Sequence, residues 1–466
     1  MERFGDAAVR GFDFRQRLKN LALLTGPLDR SLARLSDTPS TGVEVARMRW
    51  FWLDGLFSTI SGSFYGSFVP LFALAYGATN TQVGQLSGIA NLAGLIALLP
   101  GAQAGSLAGG RRKAMVLLVG GTIGRALLLV WLVMPFVVHD PGAAVALIIA
   151  VNAAITFCNN FANPAWTAII ADIIPPAIRG RFFSHRNFAV NLPALLVVPL
   201  AGLLIQLFNR PSMPLGGYQL VFVLALISGA VATLSYAQID DPLPANVVNP
   251  RLPLVQISRI ITSAPSFVGL VATTLIWNMG LQLTAPFLNV YLVTQLGAST
   301  AMVGYVAAAG SLTALLTQRW IGAWVDRRGN IFVQGLLSFI IPILPLGWMV
   351  ATAPWQVVVI NAVAGICWAA YNLASFNLLL ELAPAEARAE AVALFQLVIA
   401  GSATLAPIVG GQLADAFGYK PMFIISAALR FVGAITFVWW VARPAARRAR
   451  ALAQAEQFIA PTALRH

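Results

Sequence analysis

The sequence predicts an all-α integral membrane protein: twelve transmembrane helices in two pseudo-symmetric six-helix bundles. Three observations carry that expectation. Charges are too few for a soluble surface, apolar runs of spanning length recur along the chain, and the second half repeats the first.

Charged residues make up 10% of the 466, and apolar types 58%, with a mean hydropathy of +0.77. Ordinary soluble domains carry about 25% charge. A soluble fold of this size would lack polar groups to cover itself, so the excess apolar surface faces lipid. Cys158 and Cys367 both lie inside apolar runs, which argues against a disulfide framework. The net charge of +13 could signal nucleic acid, but the arginines sit in short connections between apolar runs. That placement reads as membrane topology, so nucleic acid is not an expected partner and the lipid bilayer is.

A span needs roughly 20 mainly apolar residues. Such runs occur at 50–76, 82–106, 114–138, 143–171, 188–208 and 218–238, then at 266–295, 300–325, 331–352, 355–383, 391–414 and 421–442. The expected organisation is a tail at 1–49, a six-helix bundle at 50–238, a central loop at 239–265, a second bundle at 266–442 and a tail at 443–466. With both tails in the cytoplasm, 25 Lys and Arg fall on that side, against Arg210 and Lys420 on the other. The asymmetry sets the orientation, a multi-pass protein of a bacterial plasma (inner) membrane. In the first tail, Phe14, Leu18, Leu21 and Leu24 stand at helical spacing beside basic residues. They form either a short helix on the membrane surface or a loosely ordered basic tail.

The repeat is visible at two offsets. Gly77, Ala78, Val83 and Gly84 return 220 residues later as Gly297, Ala298, Val303 and Gly304. Asn152, Cys158, Asn163, Pro175 and Arg179 return 209 residues later as Asn361, Cys367, Asn372, Pro384 and Arg388. Each half has an even number of spans, so the copies share orientation about an axis along the membrane normal.

Between spans 8 and 9 stands Gly322-Ala-Trp-Val-Asp326-Arg327-Arg328-Gly329-Asn330, and between spans 4 and 5 Asp172-Ile-Ile-Pro175-Pro-Ala-Ile-Arg179-Gly180-Arg181. The first resembles the G-x-x-x-D-R-x-G-R/K loop signature of the major facilitator superfamily, the second that family's loop between spans 4 and 5. The resemblance covers roughly residues 50–442. It departs at Asn330, where a basic residue closes the family signature, and at Ser106, where the first-half loop should carry its Asp. It implies a secondary transporter working by alternating access as a monomer, with a central cavity lined by spans 1, 4, 7 and 10. It also implies a cytoplasmic gate in which Gly322, Asp326, Arg327 and Gly329 meet the start of span 5 near Arg179 and Arg181. Val198-Pro199-Leu-Ala-Gly202 is a partial match to the span-5 signature of the family's antiporters, which points to efflux.

The residues themselves show a polar stripe on span 4: Asn152, Thr156, Asn159 and Asn163. Span 10 repeats it with Asn361, Trp368 and Asn372, and span 7 adds Asn278 and Gln282. A polar face at helical spacing must turn toward protein or water. It either lines a largely neutral substrate cavity or binds helices to one another. Asp54, one turn into span 1, is the nearest approach to a buried carboxylate, and is either a proton-coupling group or an interfacial ion pair with Arg49. Arg125 and Arg430 lie near mid-membrane on scaffold spans, where an intra-half structural bond is favoured over anion binding.

The expected function is therefore transport of a small neutral or amphipathic solute, with proton-coupled efflux the leading form. Alternatives are an uptake permease or facilitator, and a lipid scramblase or sensor on the same fold. The chain has no H-E-x-x-H, G-x-S-x-G or P-loop motif, so enzyme chemistry, metal and cofactors are not expected.

Overall fold

The computed structural model describes residues 42–107, 112–174, 176–239 and 254–447. Phe14, Leu18, Leu21 and Leu24 lie outside them.

Helices α1 (Val45–Ala75), α2 (Asn80–Leu107), α3 (Arg112–Val137), α4 (Pro141–Ile173), α5 (Pro176–Phe208) and α6 (Gly216–Ala237) form the first half. A short helix, Leu254–Thr262, precedes the second half. That half comprises α7 (Pro265–Thr294), α8 (Thr300–Arg328), α9 (Asn330–Val350), α10 (Pro354–Leu382), α11 (Arg388–Phe417) and α12 (Tyr419–Arg447).

Among the described residues eleven helices are long and apolar enough to cross a membrane. The exception is α5, whose apolar part is only Leu195–Phe208. The expectation of a loop up to residue 187 is corrected here: α5 begins at Pro176, and Phe182 and Arg186 are buried in the first half. The polar start of α5 is sheltered by protein, so hydropathy alone does not reveal it as helix. Likewise α1 starts before residue 50, because Met48 and Phe51 pack with Ile169, Ile173 and Phe182.

Both halves break their first helix at the same place. In α1 the regular helix stops at Tyr65 and resumes at Val69; in α7 a 3-10 turn at Ala285–Phe287 interrupts it. Gly66 and Pro286 mark the breaks, 220 residues apart. Pro286 has no N–H to give the preceding turn, and a Cβ on Gly66 would lie 2.9 Å from the Gly62 carbonyl oxygen. After the breaks Phe68, Phe72 and Phe287, all fully buried, join residues of both halves in one apolar cluster. The turns into α2 and α8 use Gly77 (φ 82°) and Gly297 (φ 62°), which explains why glycine recurs at both positions.

The halves are joined at the end of the bundle opposite the tails. Gly84 of α2 abuts the Pro407 carbonyl of α11, and Gly304 of α8 abuts Pro199 of α5. Thr300 donates to the Gly202 carbonyl (2.8 Å), Asn91 to that of Ala403 (3.2 Å) and Asn289 to that of Ser67 (3.3 Å). At the tail end the apolar clusters stay within single halves: Met48, Ile169 and Phe182 in one, Leu378, Phe395 and Val441 in the other. Among the described residues, the apolar packing shared by the two halves gathers at the end opposite the tails.

Candidate functional site

The polar stripe of α4 divides between two tasks. Asn152 Nδ2 donates to the Leu86 carbonyl of α2 (3.1 Å), and Asn361 Nδ2 to the Val306 carbonyl of α8 (2.6 Å). These bonds are repeat copies of each other, and each fastens two helices of one half. Thr156 donates to the carbonyl of Asn152 in its own helix (2.8 Å). One turn further on, Asn159 and Asn163 are exposed and line a cavity.

That cavity, about 310 Å³, lies inside the first half and is walled by α1, α3, α4, α5 and α6. It contains Asp54, Arg125 and Arg186 beside the neutral Asn159 and Asn163, and none of the second-half stripe. Asp54 is 7% exposed and accepts hydrogen bonds from Ser58 Oγ (3.4 Å) and the Trp166 side chain. Arg125 donates to Ser58 Oγ through Nη2 (2.7 Å) and to Thr233 Oγ1 through Nη1. It therefore reaches the carboxylate through a hydroxyl relay. Arg186 lies over the rings of Phe51 (4.5 Å) and Trp166 (5.7 Å). Local structure permits this crowding. The α3 wall, Val116–Ile123, is wound as a π-helix, a form that concentrates at functional sites, and presents Gly120 and Gly121 to the cavity. Gly55 leaves the hollow that the Arg186 guanidinium fills, since a Cβ there would sit 2.1 Å from Nη2.

The charged cavity of the second half lies elsewhere, at the tail end, about 900 Å³ and lined by Asp326, Arg328, Asn330 and Glu381. Asn278 is buried and donates to the Thr274 carbonyl of its own helix (3.1 Å). Trp368 packs edge-on to Trp277 (5.7 Å) and Tyr371 (5.8 Å). Gln282 is half-buried, and Asn372 is exposed. Arg430, 3% exposed, donates to Thr284 Oγ1 (2.9 Å) and toward the Gly280 and Leu281 carbonyls. It thus caps α7 just before its break, the intra-half bond expected of it.

At the tail end, Asp326 and Arg327 are exposed. The turn that follows is made by Gly329 (φ 83°), while Gly322 has nothing within 4 Å of a Cβ built on it. Asn330, at the departure from the family signature, donates to Glu381 and accepts from Asn377 (3.2 Å). The side chains of Ser106, Arg179 and Arg181 lie outside the described residues, so the Asp326 gate contact is not part of this geometry. At the sealed end the sequence reading missed a latch. Asp415 of α11 accepts from the N–H groups of Asn80 (3.0 Å) and Thr81 (2.7 Å), and Tyr419 donates to the Asn80 side chain. The signal was present: Gly411, Asp415 and Gly418 keep the spacing of Gly322, Asp326 and Gly329.

A sequence model of the Major Facilitator Superfamily matches residues 51–330 and 270–466. The chain belongs to that family. Within the Major Facilitator Superfamily, it is 24% identical over 390 residues to a multi-drug resistance efflux pump PmrA homolog of Lactococcus lactis subsp. lactis (strain IL1403), covering 80% of this chain and 91% of the relative. Over 235 residues it is 25% identical to a putative sugar efflux transporter of Deinococcus radiodurans, 48% of this chain and 58% of that one. Its fold is similar to that of the crystal structure of nucleoside transporter NupG, with a TM-score of 0.63 at 13% identity, covering 86% of this chain and 99% of that one. The superfamily assignment makes the chain a multi-pass membrane protein of transporter type, whose partners are the bilayer and a small molecule.

Proposed function

We propose that the protein is a secondary active exporter of a small amphipathic solute, residing in a bacterial inner membrane with its tails in the cytoplasm. The observation that carries this reading is the asymmetry of the bundle. The α2–α11 and α5–α8 seams are closed at one end, whereas at the other the described apolar clusters stay within single halves, one of which holds the charged cavity. With the tail end in the cytoplasm, as the Arg and Lys distribution directs, this is the state that receives solute from inside. Alternating access then closes the tail end through Asp326 and the start of α5, and opens the seams. Asp54 is the coupling group: a carboxylate within the bilayer span, in contact with the cavity and within a hydroxyl relay of Arg125, can hold a proton in one state and release it in the other. The relatives named for efflux support the direction, and the six-plus-six architecture supports a monomer as the working unit.

Flux from proteoliposomes tests the reading. Under an imposed pH gradient, solute accumulation that collapses with an uncoupler is expected. Movement of labelled lipid in place of solute would identify a scramblase, and movement of neither would leave a sensor.

A further inference from the structure

Among its described lining residues, the cavity in the first half holds two guanidinium groups, Arg125 and Arg186, against one carboxylate, Asp54. Between residues 50 and 239 the sequence has three acidic side chains: Asp54, Asp140 and Asp172. Asp140 caps the start of α4 by accepting from the Ala143 N–H (2.6 Å), and Asp172 is paired with Arg112 (2.8 Å). Helix α5 contains no acid. Glu44 lies ten residues before Asp54, about 15 Å along the helix axis. Among the described residues that line the cavity, Asp54 is the one carboxylate set against two guanidinium groups, and its bonds go to Ser58 and Trp166.

Arg186 is the unsatisfied partner. It is 9% exposed, yet its Nε is buried without a hydrogen-bond partner. Phe51 and Trp166, whose rings are 5.4 Å apart, cover one side of it, and its Nε–Nη2 edge lies against Gly55. With Nε and Nη2 against Gly55, the edge left to face the cavity is Nη1–Nη2. That edge is the part that grips carboxylate or phosphate oxygens in a two-point bond. A buried charge offset only by a carboxylate it shares with Arg125 is unfavourable, so an anion arriving there adds a partner for it. Asn159 and Asn163 supply neutral donors on the facing α4 wall. The cavity stands at the small end of ligand pockets, sized for a compact anion or the head of a larger amphipath.

We propose that this cavity binds an anionic group, a carboxylate or phosphate, with Arg186 as the principal contact and Arg125 the second, and that this group belongs to the exported solute. The assignment deepens the transporter reading and rests on it for the identity of the ligand as cargo. The cavity is net positive whether or not Asp54 carries a proton, so the preference persists in both states. An anion leaving a negative cell interior also moves down the electrical potential.

The test uses four probes with one ring and different charge: benzoate, phenyl phosphate, benzylammonium and benzyl alcohol, titrated against the purified full chain in nanodiscs. Benzoate and phenyl phosphate should bind at least tenfold tighter than the other two. Arg186→Gln should abolish that preference, and so should Gly55→Ala, which displaces the guanidinium while keeping its charge in the chain. Equal binding of all four probes by the unmodified protein overturns the proposal without recourse to any variant. So does anion preference that survives both substitutions in folded protein. Benzoate counterflow in proteoliposomes separates the two readings. Selective binding without counterflow keeps the anion site and rejects transport, whereas solute counterflow with no anion preference keeps transport and rejects the site.

Discussion

Asp415 caps the first turn of α2 across the boundary between the halves, its carboxylate oxygens 3.0 Å and 2.7 Å from the Asn80 and Thr81 nitrogens. A helix N-terminus carries about half a positive charge, so the contact combines two charge-assisted hydrogen bonds with the dipole. Asp415→Asn keeps the shape and removes the charge. It should weaken the sealed end by about 1–3 kcal/mol, enough to move a transporter whose two states lie within a few kcal/mol. Spin labels placed across the sealed end should report a longer distance population in the variant; an unchanged distribution would remove Asp415 from the latch.

The seams can be wedged directly. A Cβ on Gly84 would come 2.2 Å from the Pro407 carbonyl oxygen, and one on Gly304 would come 2.4 Å from the Pro199 Cα. Both meet backbone, which cannot swing aside. Gly84→Val and Gly304→Val should therefore disfavour the sealed state while leaving each half folded. Labelling of a cysteine introduced beside Phe68 should become faster from the outside. Protection equal to that of the parent would mean that the seam relaxes around the extra bulk.

The tail-end gate is expected to rest mainly on Asp326. Asp326→Asn should hold the protein open at the tail end, and Ser106→Asp should restore a second carboxylate and favour closure there. Electron–electron distance measurements between labels on the tail ends of α2 and α11 decide this. If neither variant changes the distances, the gate is not one-sided.

Asp54→Asn should abolish accumulation driven by a pH gradient and leave exchange between equal pools intact. The amide keeps the hydrogen-bonding shape toward Ser58 and Trp166 but cannot carry the proton. Exchange at equal concentrations needs no coupling, so its survival shows that the variant is folded and binds solute. A variant whose accumulation keeps the parent's dependence on the pH gradient would assign coupling elsewhere.

The polar amides show where sequence stops and tertiary contact begins. Asn152 and Asn163 share one stripe and one chemistry, and both recur in the second half. Yet Asn152 fastens α4 to α2, while Asn163 faces the cavity. A stripe at helical spacing reports that a face avoids lipid; it cannot say whether that face meets a neighbouring carbonyl or water. Ser61, a polar residue of α1, likewise donates to the Ala225 carbonyl of α6 (2.7 Å) and belongs to packing.

The sequence by itself determined the membrane class, the repeated halves and the special backbone of the recurring turns. These follow from quantities local to the chain: runs of apolar residues, charge asymmetry across short loops, and glycines whose positive φ no other residue adopts cheaply. The tertiary structure alone decided that Arg186, about 130 residues along the chain from α1, stands over Gly55 beside Asp54. It also decided that Asp415 meets the start of α2 and that the halves are sealed opposite the tails. Such contacts depend on which helix faces cross at which depth. The free energy that selects them comes from packing and from the pairing of buried polar groups between distant segments, and neither is written in any one stretch of sequence.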